Sequence, residues 1–187
     1  FNERMVRFGA VLVHSRRQFA EALKRYAARH HRECSGGRER LEITYQTVSS
    51  VTDPAAEVEV LTEQLRAHME SHQGAERASR MCLSGPHKDD LVITIDGREA
   101  KSYSSQGQTR TAALALKLAE REIYQNATGE YPVLLLDDVL SELDPRRQEF
   151  VLNRIAGGQV FITCCEDDRL PVLLGGKVFH VKQGAIG

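Results

Sequence analysis

The sequence predicts an α/β protein with a partly parallel sheet, preceded by a helical arm. Three observations carry that expectation. The first third repeats its apolar residues at helical spacing. Later, short apolar runs alternate with helix-forming segments. One such run, Val133 to Leu136, is unbroken and closes on two adjacent acids, Asp137 and Asp138. An unbroken apolar run is what a strand covered on both faces shows.

The chain has 187 residues, enough for one large domain or two small ones. Its 25 Lys and Arg nearly balance 26 Asp and Glu. Overall charge therefore does not mark a nucleic-acid binder, and any such surface must be a local patch. The cysteines, Cys34, Cys82, Cys164 and Cys165, lack the C-x-x-C spacing of a zinc or redox site, which fits a reduced, cytoplasmic protein. No apolar run approaches the roughly 20 residues needed to span a bilayer, and no signal peptide opens the chain, so no membrane partner is expected. The first residue is Phe1, which fits a fragment or a processed product.

The elements follow in order. Phe8, Val11, Leu12, Phe19, Leu23, Tyr26 and Ala27 predict one long amphipathic helix with its apolar stripe along them, ending near Ser35-Gly36-Gly37. At Leu41 to Tyr45 the period changes to two, as in a half-buried strand. Asp53-Pro54 reads as an N-cap and first turn of a second helix, with Val58, Leu61, Leu65 and Met69 buried. The composition shifts at Ser84-Gly85-Pro86. Leu91 to Ile95 is strand-forming, and Asp96-Gly97 signals a hairpin turn. After a polar loop, Ala112 to Ile123 is a helix former with Leu114 and Leu118 on one side, and Ile123 is a candidate for the same side. Then come the Val133 to Leu136 strand, a helix from Pro145, a strand from Gln159 to Cys164 and a last one from Lys177 to Lys182.

In an open α/β sheet, ligands bind beyond the carboxyl ends of the strands, and Asp137 and Asp138 occupy such an end. A carboxylate beside an apolar core is costly unless it is paired, hydrogen-bonded or near a metal. The pair matches a Walker B pattern, in which the first acid orients Mg²⁺, usually through water, and the second polarises the attacking water. Acids that merely cap the next segment would read the same way. Ser104-Ser105-Gln106-Gly107-Gln108 combines hydroxyls, a glycine and the free N–H groups of a helix start, the makings of an anion site. An ordinary N-capped loop shares that pattern, but this one opens the helix that leads to the acid-tipped strand. Ser141 to Asp144, "SELD", follows directly, where a simple cap for the helix at Pro145 is the plainer alternative.

Taken in order, these stretches resemble the C-terminal half of an ABC-type ATPase head: signature loop, helix, Walker B strand and D-loop. Ser84 to Leu91, "SGPHKDDL", "SSQGQTRTAALALKLAE" and "PVLLLDDVLSELD" are similar to the corresponding blocks of the RecF branch of the ABC/SMC-like ATPase family. The resemblance implies a helical arm subdomain over residues 1–83 and the C-terminal part of the head over 84–187. It also implies ATP and Mg²⁺ as cofactors. Asp137 would hold the Mg²⁺ shell and Asp138 would stand at the catalytic position. Ser105, Gly107 and Gln108 would reach the γ-phosphate of ATP held by the opposite subunit, with Ser141 and Asp144 at the dimer interface nearby. Further implied are a homodimer formed on ATP binding, duplex or junction DNA, a RecR-like mediator protein, and a role in recombinational repair.

Transporter ATPases carry a switch histidine near the strand that follows Walker B, whereas Thr163 and Cys164 stand here. No G-x-x-x-x-G-K-[ST] occurs, and Gly175-Gly176-Lys177-Val178 lacks both its spacing and its hydroxyl. The expectation is the C-terminal part of a longer protein, inactive as an ATPase by itself. Arg16, Arg17, Lys24, Arg25, Arg29 and Arg32 charge the first helix, as a solvated face or as phosphate contacts. His87 and Lys88, in a loop beside the head, and Arg110, near the start of the signature helix, are the better-placed DNA candidates. Arg110 could equally pair with an acid. The remaining histidines read as surface or packing residues. Two rival functions stand beside this one, a transporter ATPase subunit and a non-catalytic interaction module.

Overall fold

A computed structural model of the chain describes residues 2–140, 143–164 and 176–186. Helix α1, Asn2–Cys34, is the long helix the spacing predicts. Its buried stripe, however, is Val6, Ala10, Val13, Ala20, Leu23, Ala27 and Cys34. Phe8, Val11, Leu12 and Phe19 lie exposed, Phe8 at 64 %. Close packing explains the difference, because small residues let neighbouring backbone approach where a ring could not. At Gly9 a Cβ would stand 3.2 Å from the Pro86 ring.

The α1 helix stops at Gly36 and Gly37, with φ 68° and 78°, a conformation that costs glycine least. Strand β1, Leu41–Gln46, follows. Asp53-Pro54 then forms a turn, and not the helix start the sequence suggests. Asp53 Oδ1 accepts the Ala55 N–H at 2.9 Å and its carbonyl accepts the Ala56 N–H at 3.1 Å. Helix α2, Val58–Ser79, begins after that turn, and buries Leu61, Leu65 and Met69 against Val6, Val13, Val48 and Val51.

A short 3₁₀ turn, Pro86–Lys88, leads into β2, Asp90–Ile95, and β3, Arg98–Glu99. Asp96 and Gly97, with φ 51° and 78°, make the hairpin turn the sequence signals. Strand β2 also pairs antiparallel with β1, from Leu41 opposite Ile95 to Gln46 opposite Asp90. That ladder joins segments from either side of the compositional shift at Ser84.

Helix α3, Ala100–Tyr103, is a single turn before α4, Gln106–Thr128. Then come β4, Leu134–Asp137, helix α5, Pro145–Arg154, and β5, Val160–Thr163. Strands β4 and β5 pair in parallel, Leu134 opposite Val160 and Asp137 opposite Thr163, which supplies the parallel sheet. The last expected strand is shorter. Residues 176–180 are irregular, and β6, Val181–Lys182, folds back on β7, Ala185–Ile186, through Gln183 and Gly184.

Helix α4 is gripped on two sides. Leu114 and Leu118 pack with Leu134, Leu136, Leu140, Leu143, Val151 and Ile155. Ala112, Ala119 and Ile123 face Leu23, Ala27, Leu41, Ile43 and Ile95 instead, so Ile123 does not share a side with Leu114 and Leu118. Among the described residues, strand β4 is covered on one face only, against the expectation of two. Leu134 and Leu136 are buried, whereas Leu135 is 70 % exposed beside Val133 and Phe161. Strands β4 and β5 both present that open face because α4 and α5 back the other. Among the described residues, no helix is long and apolar enough to cross a membrane.

Candidate functional site

Parallel pairing brings the carboxyl ends of β4 and β5 to one edge, and register places Asp137 opposite Thr163. The Thr163 hydroxyl donates to Asp137 Oδ1 at 2.5 Å and accepts the Asp138 N–H at 3.0 Å. The Asp138 N–H also approaches the Thr163 carbonyl at 3.1 Å. One hydroxyl thus spans both acids. Asp138 has φ 51°, a left-handed conformation that Asp tolerates better than most residues, and it turns the chain off the strand. Asp137 and Asp138 are both exposed. An apolar strand can end in two carboxylates because Asp137 falls on the exposed face of β4, as Leu135 does, and the turn at Asp138 carries the second acid off the strand to water.

Ser105 is the N-cap of α4. Its Oγ accepts the Gln108 N–H at 3.2 Å, and Gln108 Oε1 accepts the Ser105 N–H at 3.0 Å, a reciprocal capping box. The carboxamide of Gln108 reaches further, donating from Nε2 to Glu39 Oε1 at 3.2 Å. Gly107 and Arg110 are both half-buried in the first turns. Since Ser105 uses a lone pair for the cap, its hydroxyl hydrogen can still be donated. It stands beside a helix N-terminus, whose first N–H groups carry partial positive charge.

The segment after Asp138 is anchored from below. Leu140 and Leu143 are buried, the Leu143 N–H donates to the Leu140 carbonyl at 3.1 Å, and Gln148 Nε2 donates to the same carbonyl at 2.8 Å. Asp144 is the N-cap of α5, accepting the Arg147 N–H at 3.1 Å, and pairs with the Arg147 guanidinium at 3.2 Å. Arg147 in turn comes within 3.6 Å of where a Cβ on Gly107 would stand. The start of α5 and the start of α4 therefore adjoin within one chain. Ser141 lies outside the described residues.

Among the described residues, no group of three or more His, Cys, Asp or Glu gathers as a metal cage. Asp137 nonetheless suits Mg²⁺, which is commonly held by one or two carboxylates together with water and substrate phosphates. Its carboxylate is exposed and oriented by Thr163.

His87 and Lys88 are exposed in the 3₁₀ turn, with His87 Nε2 3.1 Å from the Cys82 carbonyl. Next to them Asp89 is held inside, accepting from the Tyr45 hydroxyl at 2.6 Å and from Arg16 at 2.8 Å. Burial and Asp89 together push the Tyr45 phenol well above its ordinary range. Of the α1 cations singled out from the sequence, Arg16 pairs with Asp89, Arg17 with Glu21 and Arg29 with Glu122. Lys24 and Arg32 line a cleft of about 420 Å³ with Arg38 and Arg40.

Some structural polar residues were not expected from sequence. Arg121 is 5 % exposed and donates to the carbonyls of Arg154, Ile155 and Gly157 while lying 4.1 Å above the Tyr131 ring centroid. It closes the C-terminal end of α5, and its spacing from Leu114 and Leu118 was the available signal. Among the histidines read as surface or packing residues, His30, His31 and His68 are the packing ones, and burial pushes each below the usual histidine pKa. His30 contacts Glu122 at 3.0 Å and His68 contacts the Ser84 hydroxyl at 3.0 Å.

A capped signature helix, an acid-tipped parallel strand and a capped helix after it define an α/β chain of the ABC-ATPase type. No family model matches the sequence. It is similar from end to end to RecF: 40 % identical to the DNA replication and repair protein RecF of Symbiobacterium thermophilum, over 100 % of this chain and 51 % of that protein. The RecF of Bacillus subtilis is 38 % identical over 98 % of this chain and 50 % of that one. In structure the chain resembles the recombination mediator protein RecF with ATPγS in the RecFOR pathway, with a TM-score of 0.83 and 36 % identity, over 100 % of this chain and 48 % of that chain. The chain spans about half the length of the relatives it matches. It is RecF-like throughout, and corresponds to the C-terminal portion of such a protein.

Proposed function

We propose that this chain is the signature-bearing part of a RecF-like, ATP-dependent DNA-binding protein of recombinational repair. The observation that carries this reading is the Thr163 hydroxyl spanning Asp137 and Asp138 at the carboxyl end of a parallel strand pair. Support for ATP comes from the solved RecF relatives, which are ATP and ATPγS complexes. Support for repair comes from the names of the curated relatives, DNA replication and repair proteins.

In this reading ATP joins two heads. The signature loop, Ser105 to Gln108, meets the γ-phosphate of ATP held by the opposite subunit, with the Ser105 hydroxyl and the helix N-terminus as donors. Ser141 and Asp144 lie at the same interface. Mg²⁺, when bound, supplies neutralisation of phosphate charge, and Asp137 would hold its water shell. Asp138 accepts a hydrogen bond from the attacking water and orients its oxygen toward the γ-phosphorus. As the new P–O bond forms, the water's proton passes to a phosphate oxygen, the bond to the β,γ-bridging oxygen breaks, and ADP and inorganic phosphate leave. Turnover is slow and loosens the dimer, so binding does most of the work.

The arm, residues 1–83, and the head part, 84–187, act as two functional regions. Duplex DNA or a duplex–gap junction is the proposed ligand, contacted through phosphates by His87, Lys88 and Arg110. A RecR-like mediator is the proposed protein partner, in the cytoplasm, in support of recombinase loading and the SOS response.

The test uses full-length protein containing this chain. ATP-dependent dimerisation and hydrolysis are measured with and without duplex DNA, for wild type and Asp138→Asn. Dimers in both, with turnover lost in the variant alone, support the assignment. Unchanged turnover in Asp138→Asn, or no response to ATP in either, overturns it.

A further inference from the structure

We infer that Glu39, on the connection between α1 and β1, is a positioning residue for the signature loop, acting through Gln108. The inference rests on the proposed role of that loop and goes beyond it, because the sequence around Glu39 carries no ATPase motif.

The contacts form a chain. Glu39 Oε1 accepts from Gln108 Nε2 at 3.2 Å, and Gln108 Oε1 accepts from the Ser105 N–H at 3.0 Å. The Gln108 carboxamide is therefore engaged at both ends, inside its own subunit. Its position relative to Ser105 is set by what holds Nε2, and that is Glu39. Glu39 itself is held firmly. Its side chain is 17 % exposed, and its second oxygen lies 3.0 Å from Nε2 of His31, which is fully buried. The two carboxylate oxygens thus face different partners, one the buried His31 ring and the other the Gln108 carboxamide, which donates to it.

The backbone on either side is fixed as well. Arg38 Nε donates to the Ser35 carbonyl at 2.9 Å. The Arg40 N–H donates to Asp96 Oδ1 and its carbonyl accepts the Asp96 N–H, both at 2.9 Å. Glu39 thus sits between the end of the long helix and the start of the antiparallel ladder. Its carboxylate sets the cap from which the Ser105 hydroxyl is aimed outward. A hydrogen bond between Glu39 and a protein amide, 69 residues apart in sequence, ties the arm to the phosphate-facing loop.

Full-length protein containing this chain tests the assignment through the ATP concentration for half-maximal dimerisation, with thermal unfolding of each variant in the absence of ATP as the folding control. Glu39→Ala removes the acceptor. Gln108→Glu keeps an oxygen for the Ser105 N–H but sets two carboxylates against each other. Each is expected to raise the half-maximal ATP concentration about tenfold. The exchanged pair, Glu39→Gln with Gln108→Glu, restores donor against acceptor in reverse and is expected to return to within about twofold of wild type. Ser105→Asp keeps a good N-cap but opposes a phosphate with negative charge, and is expected to abolish the ATP response.

If Ser105→Asp blocks dimerisation while Glu39→Ala and Gln108→Glu behave as wild type, the positioning role is wrong and the loop's phosphate role stands. If Glu39→Ala and Gln108→Glu lose the response but the exchanged pair does not recover it, the Glu39–Gln108 bond is not the cause and the inference falls. If Ser105→Asp has no effect, the phosphate role of the loop falls and the positioning role falls with it.

Discussion

Thr163 holds Asp137 and the backbone of Asp138 with a single hydroxyl, donating to the one and accepting from the other. The two strands that carry these residues are parallel and in register there, so the contact is a product of sheet geometry and does not depend on loop adaptation.

Thr163→Val keeps the shape and removes both hydrogen bonds. It is expected to lower stability by about 1 kcal/mol, an edge-of-sheet cost, while lowering ATP turnover of full-length protein by a larger factor. Thr163→Ser restores the hydroxyl and is expected to recover turnover. Urea unfolding and steady-state hydrolysis read the two effects separately, and equal turnover in Val and Ser variants would show that the hydroxyl has no part in the chemistry.

Asp138 turns the chain at φ 51°, which decides how it should be replaced. Asn tolerates the left-handed region, so Asp138→Asn should stay within about 0.5 kcal/mol of wild type, whereas the β-branched Asp138→Val should cost about 1–2 kcal/mol. Thermal melts of the isolated chain separate them. Equal losses would mean that the backbone there is not held in that conformation.

Arg121 completes α5 from the side of α4. Arg121→Met keeps much of the bulk but leaves the carbonyls of Arg154, Ile155 and Gly157 without their donor. The expected loss is roughly 2–4 kcal/mol by urea unfolding. Lysine recovers only part, since one ammonium cannot reproduce the planar fork or its stacking on Tyr131. A full recovery by lysine would reduce Arg121 to a simple charge.

Acid should weaken the fold through histidines. Burial, the leading cause in each case, holds His30, His31 and His68 below their ordinary pKa of 6.5. For His30 burial outweighs the opposing pull of Glu122. The unfolded chain therefore takes up protons before the folded one does. The stability these groups contribute is complete above about pH 6.5 and is lost as pH falls toward their lower folded values. The melting temperature is expected to be level from about pH 8 to about pH 7 and to drop on the way to about pH 5, with the ring resonances of these three histidines titrating late. A level melting profile through the acid range would contradict this.

Strong periodicity and local turn chemistry made much of the architecture legible. The long first helix, the Asp96-Gly97 hairpin and the acid-tipped strand all depend on residues close in sequence. The errors arose where distant packing decides. Phe8 and Phe19 matched the helical stripe but were displaced outward by the small residues that neighbours can approach closely. Asp53 satisfies its own turn before α2 can begin. Leu135 completes an apolar run yet faces out, because described elements cover only one face of β4. At the site, Asp137, Asp138, Ser105 and Gln108 were visible from motif order. Glu39 was not, since an acid between two arginines in a polar connection looks like solvent-facing sequence until the fold brings it to Gln108.

The two-sided burial of α4 makes it a stiff rod clamped along its length. Turning it would open voids against Leu136 and Leu140 on one flank and against Leu41 and Ile43 on the other, with a penalty from both at once. A loop at the end of such a rod cannot wander alone. Its aim is borrowed from the two layers that hold the helix, and force applied to α1 at Leu23 or Ala27 has a rigid route to Ser105.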